Sequence, residues 1–415
     1  MLHDPERHEA LVEAPWDAAK ARATIDAIVA GTERAYDPDR YWPRHPQDLE
    51  PGEAADGVTT PLYFGAAGVL WALRYLAARG FARPLAIEAD AFETLLARNR
   101  DWLGPIAERE AASYLMGETP IRMLAFDVRP GDDAADALER LIAGNVDHPA
   151  LELLWGATGT MLAALFLHEK TRDARWATLF RRSAQALWDR LEWSEDRACF
   201  FWTQDLYGRR SAYLGAGHGF AGAALPLIRG RYLLGPEAWS AWEARIVETT
   251  ARTASREGGR ANWDPQLAPP PGPRRRVVQW CHGAPGFVIS LAGLPSTALD
   301  ALLLEAGELI WHAGPLNKGS NLCHGTGGNG YAFLKLYRRT GDTRWLARAR
   351  AFAMHGIAQT EAARVRHGCW RHSLWTGDIG FAIFLADCIE AEASFPTLDV
   401  FFAPTPDSAH TAIHA

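Results

Sequence analysis

Residues 321–330 read Asn321-Leu-Cys323-His324-Gly325-Thr-Gly-Gly328-Asn-Gly330, and 42 positions upstream of its thiol stands a near copy, Trp280-Cys281-His282-Gly283-Ala-Pro-Gly286. Each places a thiol and an imidazole just ahead of glycines that open an apolar run. A Cys-His-Gly triplet alone is an ordinary packing feature. Two in one phase of a repeat are a constellation, so periodicity is the first thing to establish.

Working outward, a Gly-x-x-Gly element or a near relative begins seven apolar runs. They are Gly65-Ala-Ala-Gly68, Gly117-Glu-Thr-Pro120, Gly156-Ala-Thr-Gly159, Gly219-Phe-Ala-Gly222, Gly283-Ala-Pro-Gly286, Gly325-Thr-Gly-Gly328 and Gly377-Asp-Ile-Gly380. The intervals, 39 to 64 residues, each hold two helices and two loops. Runs such as Met161–Leu167 and Ala332–Tyr337 are too uniformly apolar for surface helices and read as buried inner ones. Trp176, Trp239 and Trp345 fall 20 residues after their first glycines, with Leu85 and Leu303 at the same offset. Asp173 and Asp342 stand where a second helix needs N-caps. From Trp176 the apolar positions Leu179, Phe180, Leu187 and Leu191 keep helical spacing, which describes an amphipathic outer helix.

Inner helix, loop and outer helix, repeated about seven times, predict an all-α fold: a single α/α toroid over residues 1–403. Residues 1–60 form a helical extension packed on the ring, with a helix from about Trp16 to Arg34, and 404–415 a flexible tail. Pro265–Pro273 reads as a stiff extended loop overhanging the site and leading into Arg274, Arg275 and Arg276.

Apolar residues are 48% and charged residues 22% of the 415, with 17 Trp, the balance of a globular chain. A net charge of -7 argues against a nucleic-acid or anionic-membrane role. The sequence shows neither a signal peptide nor a membrane span, so the expected location is cytoplasmic. Five cysteines, at 199, 281, 323, 369 and 388, read as free thiols rather than a disulfide framework.

If the repeats are equivalent, the residue before each first glycine converges at one end of the axis. Those residues are Phe64, Met116, Trp155, His218, His282, His324 and Thr376. One position further back, units five and six carry Cys281 and Cys323. Two thiols with at least one imidazole around a point select zinc, and three protein ligands leave a fourth, open position of the catalytic type. Inner-helix N-termini would add positive potential that favours thiolate.

With these residues in hand, the chain resembles the lanthionine synthetase C-like family, from about residue 60 to 388. Its most specific parts are Trp280-Cys-His-Gly-Ala-Pro-Gly286, Leu322–Gly330 and Gly215-Ala-Gly-His-Gly-Phe-Ala-Gly222. The resemblance implies one Zn2+ per chain held by Cys281, Cys323 and His324, leaving His282 beside the site. It also implies thiol addition to a dehydroamino acid, with His218 as the acid that protonates the α-carbon.

Leu151-Glu152-Leu-Leu-Trp-Gly156 places Glu152 where peptide cyclases of the family carry an acid/base Asp, and this motif is more similar to eukaryotic-type members, which bind glutathione. On that resemblance Lys318 and Arg371 would contact substrate. The implied catalytic residues are His218, Glu152 and His282, and the implied partners a thiol peptide or glutathione. A stand-alone chain of this length would need a separate dehydratase to supply the alkene. Two other readings compete: a non-catalytic zinc scaffold that captures thiol peptides, and a carbohydrate-active α/α toroid, which would need paired axial carboxylates.

Overall fold

A computed structural model describes residues 1–49, 57–84, 89–268 and 276–403. Leu85, positions 269–273 of the Pro-rich loop, Arg274, Arg275 and the tail 404–415 lie outside the described residues. The chain is all-α in character. Fourteen helices of eight residues or more alternate strictly between two layers among the described residues.

The outer layer holds α1 (Ala18–Arg34), α3 (Ala89–Leu103), α5 (Asp132–Gly144), α7 (Ala174–Asp189), α9 (Pro236–Thr253), α11 (Asp300–Ala313) and α13 (Thr343–His367). The inner layer holds α2 (Ala66–Ala78), α4 (Thr119–Val128), α6 (Ala157–Thr171), α8 (Phe220–Arg229), α10 (Ala284–Leu291), α12 (Thr326–Thr340) and α14 (Asp378–Glu390). Every inner helix begins at or just after one of the seven glycine elements. Along α6 all residues from Ala157 to Leu167 are buried, whereas α7 buries one face, including Trp176, Leu179, Phe180 and Leu187. Asp173 and Asp342 cap α7 and α13 through the N–H groups of Arg175 and Arg344.

Helix α1 has a specific place in this scheme. It begins at Ala18, capped by Asp17, and packs against α14 and beside α13, so it is the outer partner of the seventh inner helix. The last hairpin of the ring is therefore built from opposite ends of the sequence. Three short antiparallel hairpins account for the two longest intervals. β1 (Glu192–Ser194) with β2 (Cys199–Phe201) and β3 (Gln204–Leu206) with β4 (Arg209–Ser211) lie between α7 and α8, and β5 (Ala254–Glu257) with β6 (Arg260–Trp263) follows α9. Of the Pro-rich loop, Pro265 and Leu267 are tied to the segment 212–214 by backbone hydrogen bonds.

The glycines have a steric cause. In six units the second glycine lies against the carbonyl oxygen of the residue six positions earlier: Leu62, Leu153, Ala216, Trp280, Leu322 and Leu374. A Cβ there would overlap that oxygen. Meanwhile first-turn N–H groups donate seven residues back, as Thr326 does to Gly319 (2.8 Å) and Ala221 to Leu214 (3.0 Å). The loop thus satisfies donors that a helix N-terminus leaves without intrahelical partners. Gly328→Ala is expected to cost roughly 1–3 kcal/mol of stability, read as a lower denaturation midpoint. Gly144→Ala, where nothing lies within 4 Å of the added carbon, is the control and should leave stability unchanged or raise it by up to about 1 kcal/mol, since alanine has the higher helix propensity.

A belt of backbone hydrogen bonds among the residues two positions before each first glycine spans six of the seven steps round the ring. Tyr63 N–H donates to Leu115 (3.0 Å), Leu115 to Leu154 (3.2 Å), Gly217 to Cys281 (3.1 Å), Cys281 to Cys323 (3.3 Å), Cys323 to Trp375 (2.9 Å) and Trp375 back to Tyr63 (3.0 Å). The step from unit three to unit four has no such bond. There Leu154 N–H is taken by the Glu152 carboxylate at 2.9 Å.

Below the belt, residues 393–401 fill the centre of the ring. Phe395, Thr397 and Leu398 are fully buried. The Phe395 ring lies 6.0 Å from that of Trp280, 5.4 Å from Trp375 and 4.7 Å from Tyr331. Tyr114 donates to Thr397 O (2.7 Å), Arg229 to Leu398 O (2.6 Å), the Trp71 indole to Phe401 O (2.7 Å), and Lys335 pairs with Asp399 (2.6 Å).

Candidate functional site

The belt puts Cys281 and Cys323 on neighbouring loops of one rim, joined through their backbones. Each sulfur accepts one hydrogen bond from a side chain. The Tyr63 hydroxyl donates to Cys323 Sγ at 2.7 Å, and Gln279 Nε2 donates to Cys281 Sγ at 2.8 Å. Tyr63 occupies in unit one the phase that the cysteines occupy in units five and six, and its ring stacks on Trp375 at 5.6 Å. The first-turn amides are spent on loop carbonyls, so the donors at the sulfurs are these side chains.

The two thiols share their protons unequally. Hydrogen bonding with Cys323 pulls the Cys281 thiol down, against burial, with help from Gln279 and the charge of His218. Burial and then the neighbouring Cys281 push Cys323 up, only partly offset by Tyr63 and Lys318. Cys281 is thus the sulfur that ionises first. The close approach of unit four depends on missing side chains: a Cβ on Gly215 would lie 2.8 Å from His282 Nδ1, and one on Gly217 would lie 3.0 Å from Cys281 Cβ.

Where the belt is interrupted sits a carboxylate–imidazole pair. Glu152 is fully buried, accepts the N–H groups of Leu154 and Trp155, and holds His218 Nδ1 at 2.9 Å. Burial disfavours a charged His218, but the Glu152 hydrogen bond, its charge and that of Cys281 outweigh it and raise the imidazole above its usual range. With Nδ1 engaged, Nε2 is the nitrogen able to give or take a proton. The His282 ring lies 6.3 Å from that of His218. It is pushed down to about 4 by burial and by His218, and its buried Nδ1 has no partner.

His324 is likewise pushed to about 4, by burial first and then by the charges of Lys318 and Arg371. Among the described residues, no three His, Cys, Asp or Glu side chains close into a metal cage. The sulfurs are paired, and His324 adjoins Cys323 in sequence without forming such a cage. The donor set nevertheless suits zinc: two thiols each with an outer hydrogen-bond donor, and a neutral imidazole on the residue that follows Cys323. Cys199 and Cys388 are buried apart from this rim, and all five cysteines are free.

Lys318 is exposed and lines a cavity of about 310 Å³ with Glu9, Asn317, His355 and Arg366. Arg371 is already engaged: its Nε lies 3.0 Å from both carboxylate oxygens of Asp48, and its backbone N–H donates to the half-buried Asp378 at 2.8 Å. Tyr63, Gln279 and Asp48 were not evident as site residues in the sequence. Only Tyr63 carried a usable signal, its repeat phase.

The model of the family described as lanthionine synthetase C-like protein matches residues 129–400. A protein named glutathione S-transferase LANCL1, from Danio rerio, is 30% identical over 269 residues, 60% of this chain and 62% of that protein. LanC-like protein GCL1 from Arabidopsis thaliana is 43% identical over 88 residues, 20% of each chain. The chain thus spans less than two thirds of either relative. Among solved structures, nisin cyclase shares the fold with a TM-score of 0.56 at 15% identity, covering 79% of this chain and 88% of that one. Glycine phase, hydrogen-bonded belt and family match agree, and the chain belongs to the lanthionine synthetase C-like family.

Proposed function

We propose that the protein activates a thiol, from glutathione or a cysteine-containing peptide, for addition to a dehydroamino acid. The observation that carries this reading is the Cys281–Cys323 pair beside the Glu152–His218 pair on one rim of a lanthionine synthetase C-like ring. Zinc, held by Cys281, Cys323 and a turned His324, would supply the Lewis acid that keeps a substrate thiol ionised at neutral pH, where a free thiol with a pKa of about 8.5 is mostly protonated.

In the addition, the substrate S–H bond breaks with its proton passing to solvent water, from which His218 is protonated, sulfur bonds to the β-carbon, and the alkene electron pair moves towards the carbonyl. His218 then delivers a proton from Nε2 to the α-carbon, and Glu152 stabilises the imidazolium before transfer and fixes the ring's orientation. Lys318 supplies a cation for a substrate carboxylate. Arg371 can do so only by exchanging Asp48 for it. The alkene is the product of a dehydration that precedes this addition, and the described helices include none long and apolar enough to cross a membrane.

The test is incubation of the purified protein with glutathione and a dehydroalanine peptide, read by mass spectrometry. The expected product has the summed mass of the two reactants and forms faster than without protein. Thiol binding with no acceleration would replace catalysis by a capture role.

A further inference from the structure

We propose that Arg7, acting through Gln279, is a positioning residue of the thiol pair. It fastens the two cysteine loops to each other and turns the Gln279 amide so that its N–H faces Cys281. The first observation is where residues 6–9 run. They pair antiparallel with 314–317: Glu9 N–H donates to Pro315 O (3.0 Å), Asn317 N–H to Arg7 O (3.0 Å), and Asn317 Nδ2 to Glu6 O (2.8 Å). His8 Nδ1 lies 2.9 Å from Gly314 O. This ladder fixes Arg7 on the segment that leads through Lys318 to Cys323.

From that position Arg7 reaches the other cysteine loop. Its Nη2 donates to Gln279 Oε1 at 3.2 Å, and Gln279 is two residues before Cys281. Gln279 is buried, and its own N–H is tied to His282 O at 3.1 Å, so it has little freedom to move away. A side-chain amide can flip, but a guanidinium can only donate. The amide oxygen must therefore face Arg7, which leaves Nε2 facing Cys281 Sγ at 2.8 Å. The flipped amide would set donor against donor at Arg7 and a lone pair against the sulfur. Outer donors of this kind orient thiolates that bind metals or react.

The inference rests on the function proposed above in taking Cys281 as a working sulfur. Two readouts on the full chain separate the two ideas. Zinc affinity is measured by chelator competition for Arg7→Leu, Gln279→Met, the double variant and Arg7→Lys. In addition, metal-free protein is alkylated with iodoacetamide, with Cys281 and Cys323 quantified separately.

Arg7→Leu and Gln279→Met are each expected to weaken zinc roughly 10- to 100-fold. The double variant should be no weaker than the worse single one, because both act through one relay. Arg7→Lys keeps a donor and should recover most of the affinity. In the alkylation, both single variants should lower the Cys281 rate relative to Cys323 roughly tenfold. Wild-type zinc affinity in the variants, or effects that multiply, overturns the relay. If the wild type itself binds no zinc, the metal reading fails, and the alkylation ratio decides: a shift in both variants supports the relay, an unchanged ratio overturns it.

Discussion

Cys323→Ala is expected to abolish both zinc retention and thioether formation while leaving the ring folded. The substitution removes one of two sulfurs and leaves the Tyr63 hydroxyl without its acceptor. Its backbone links, the N–H to Trp375 and the carbonyl to Cys281, are untouched. The orphaned hydroxyl costs about 1–3 kcal/mol, which lowers the stability but is less than the roughly 5–15 kcal/mol that holds a native fold. Metal analysis should therefore fall from about one zinc per chain to background, and product formation to the uncatalysed rate, with an unchanged helical circular dichroism spectrum. A Cys323→Ala protein that still makes thioether without metal would refute zinc activation.

His218→Asn is the second large effect. Asparagine can keep a hydrogen bond to Glu152 but carries no transferable proton, so the rate should fall on the order of 10²–10⁴-fold while the KM for the thiol changes little. The pH profile gives the sign. Because Glu152 raises His218, the acid form persists to higher pH in the folded protein. Wild-type turnover should be retained below that raised pKa and decline as pH climbs through it. Glu152→Gln removes the charge and should move this alkaline limb to lower pH; in His218→Asn the limb should vanish. Folding stability follows the same linkage: the ion pair contributes fully below the unfolded imidazole pKa, about 6.5, and is lost as pH passes the folded value. A limb unmoved by Glu152→Gln would remove His218 from the acid role.

The repeat was legible in the sequence because its cause is local. A carbonyl oxygen six residues earlier forbids a Cβ at the second glycine, unit after unit, so Gly68, Gly159, Gly222, Gly286, Gly328 and Gly380 stand in register. The same phase brought Cys281 and Cys323 together. What did not show was non-local. Helix α1 closes on α14 across some 350 residues, Asp48 captures Arg371, and Arg7 reaches Gln279; no periodicity links these pairs. The pairing of Glu152 with His218 was also hidden, since it exploits the one step at which the belt gives way to side chains. The short β hairpins lay inside the two longest intervals, where three- and four-residue strands leave too little alternation to detect.

The packed centre of the ring sets the route of any long substrate. Phe395 and Thr397 stand beneath the cysteine rim, so the cylinder is a cup rather than a tunnel. A peptide cannot thread through it and must dip in as a bend, with both of its ends remaining outside. On the proposed activity, each bond formed would leave by the same opening through which its reactants came. Successive additions on one peptide are then separate visits, and their order is set by which bends the peptide itself can present.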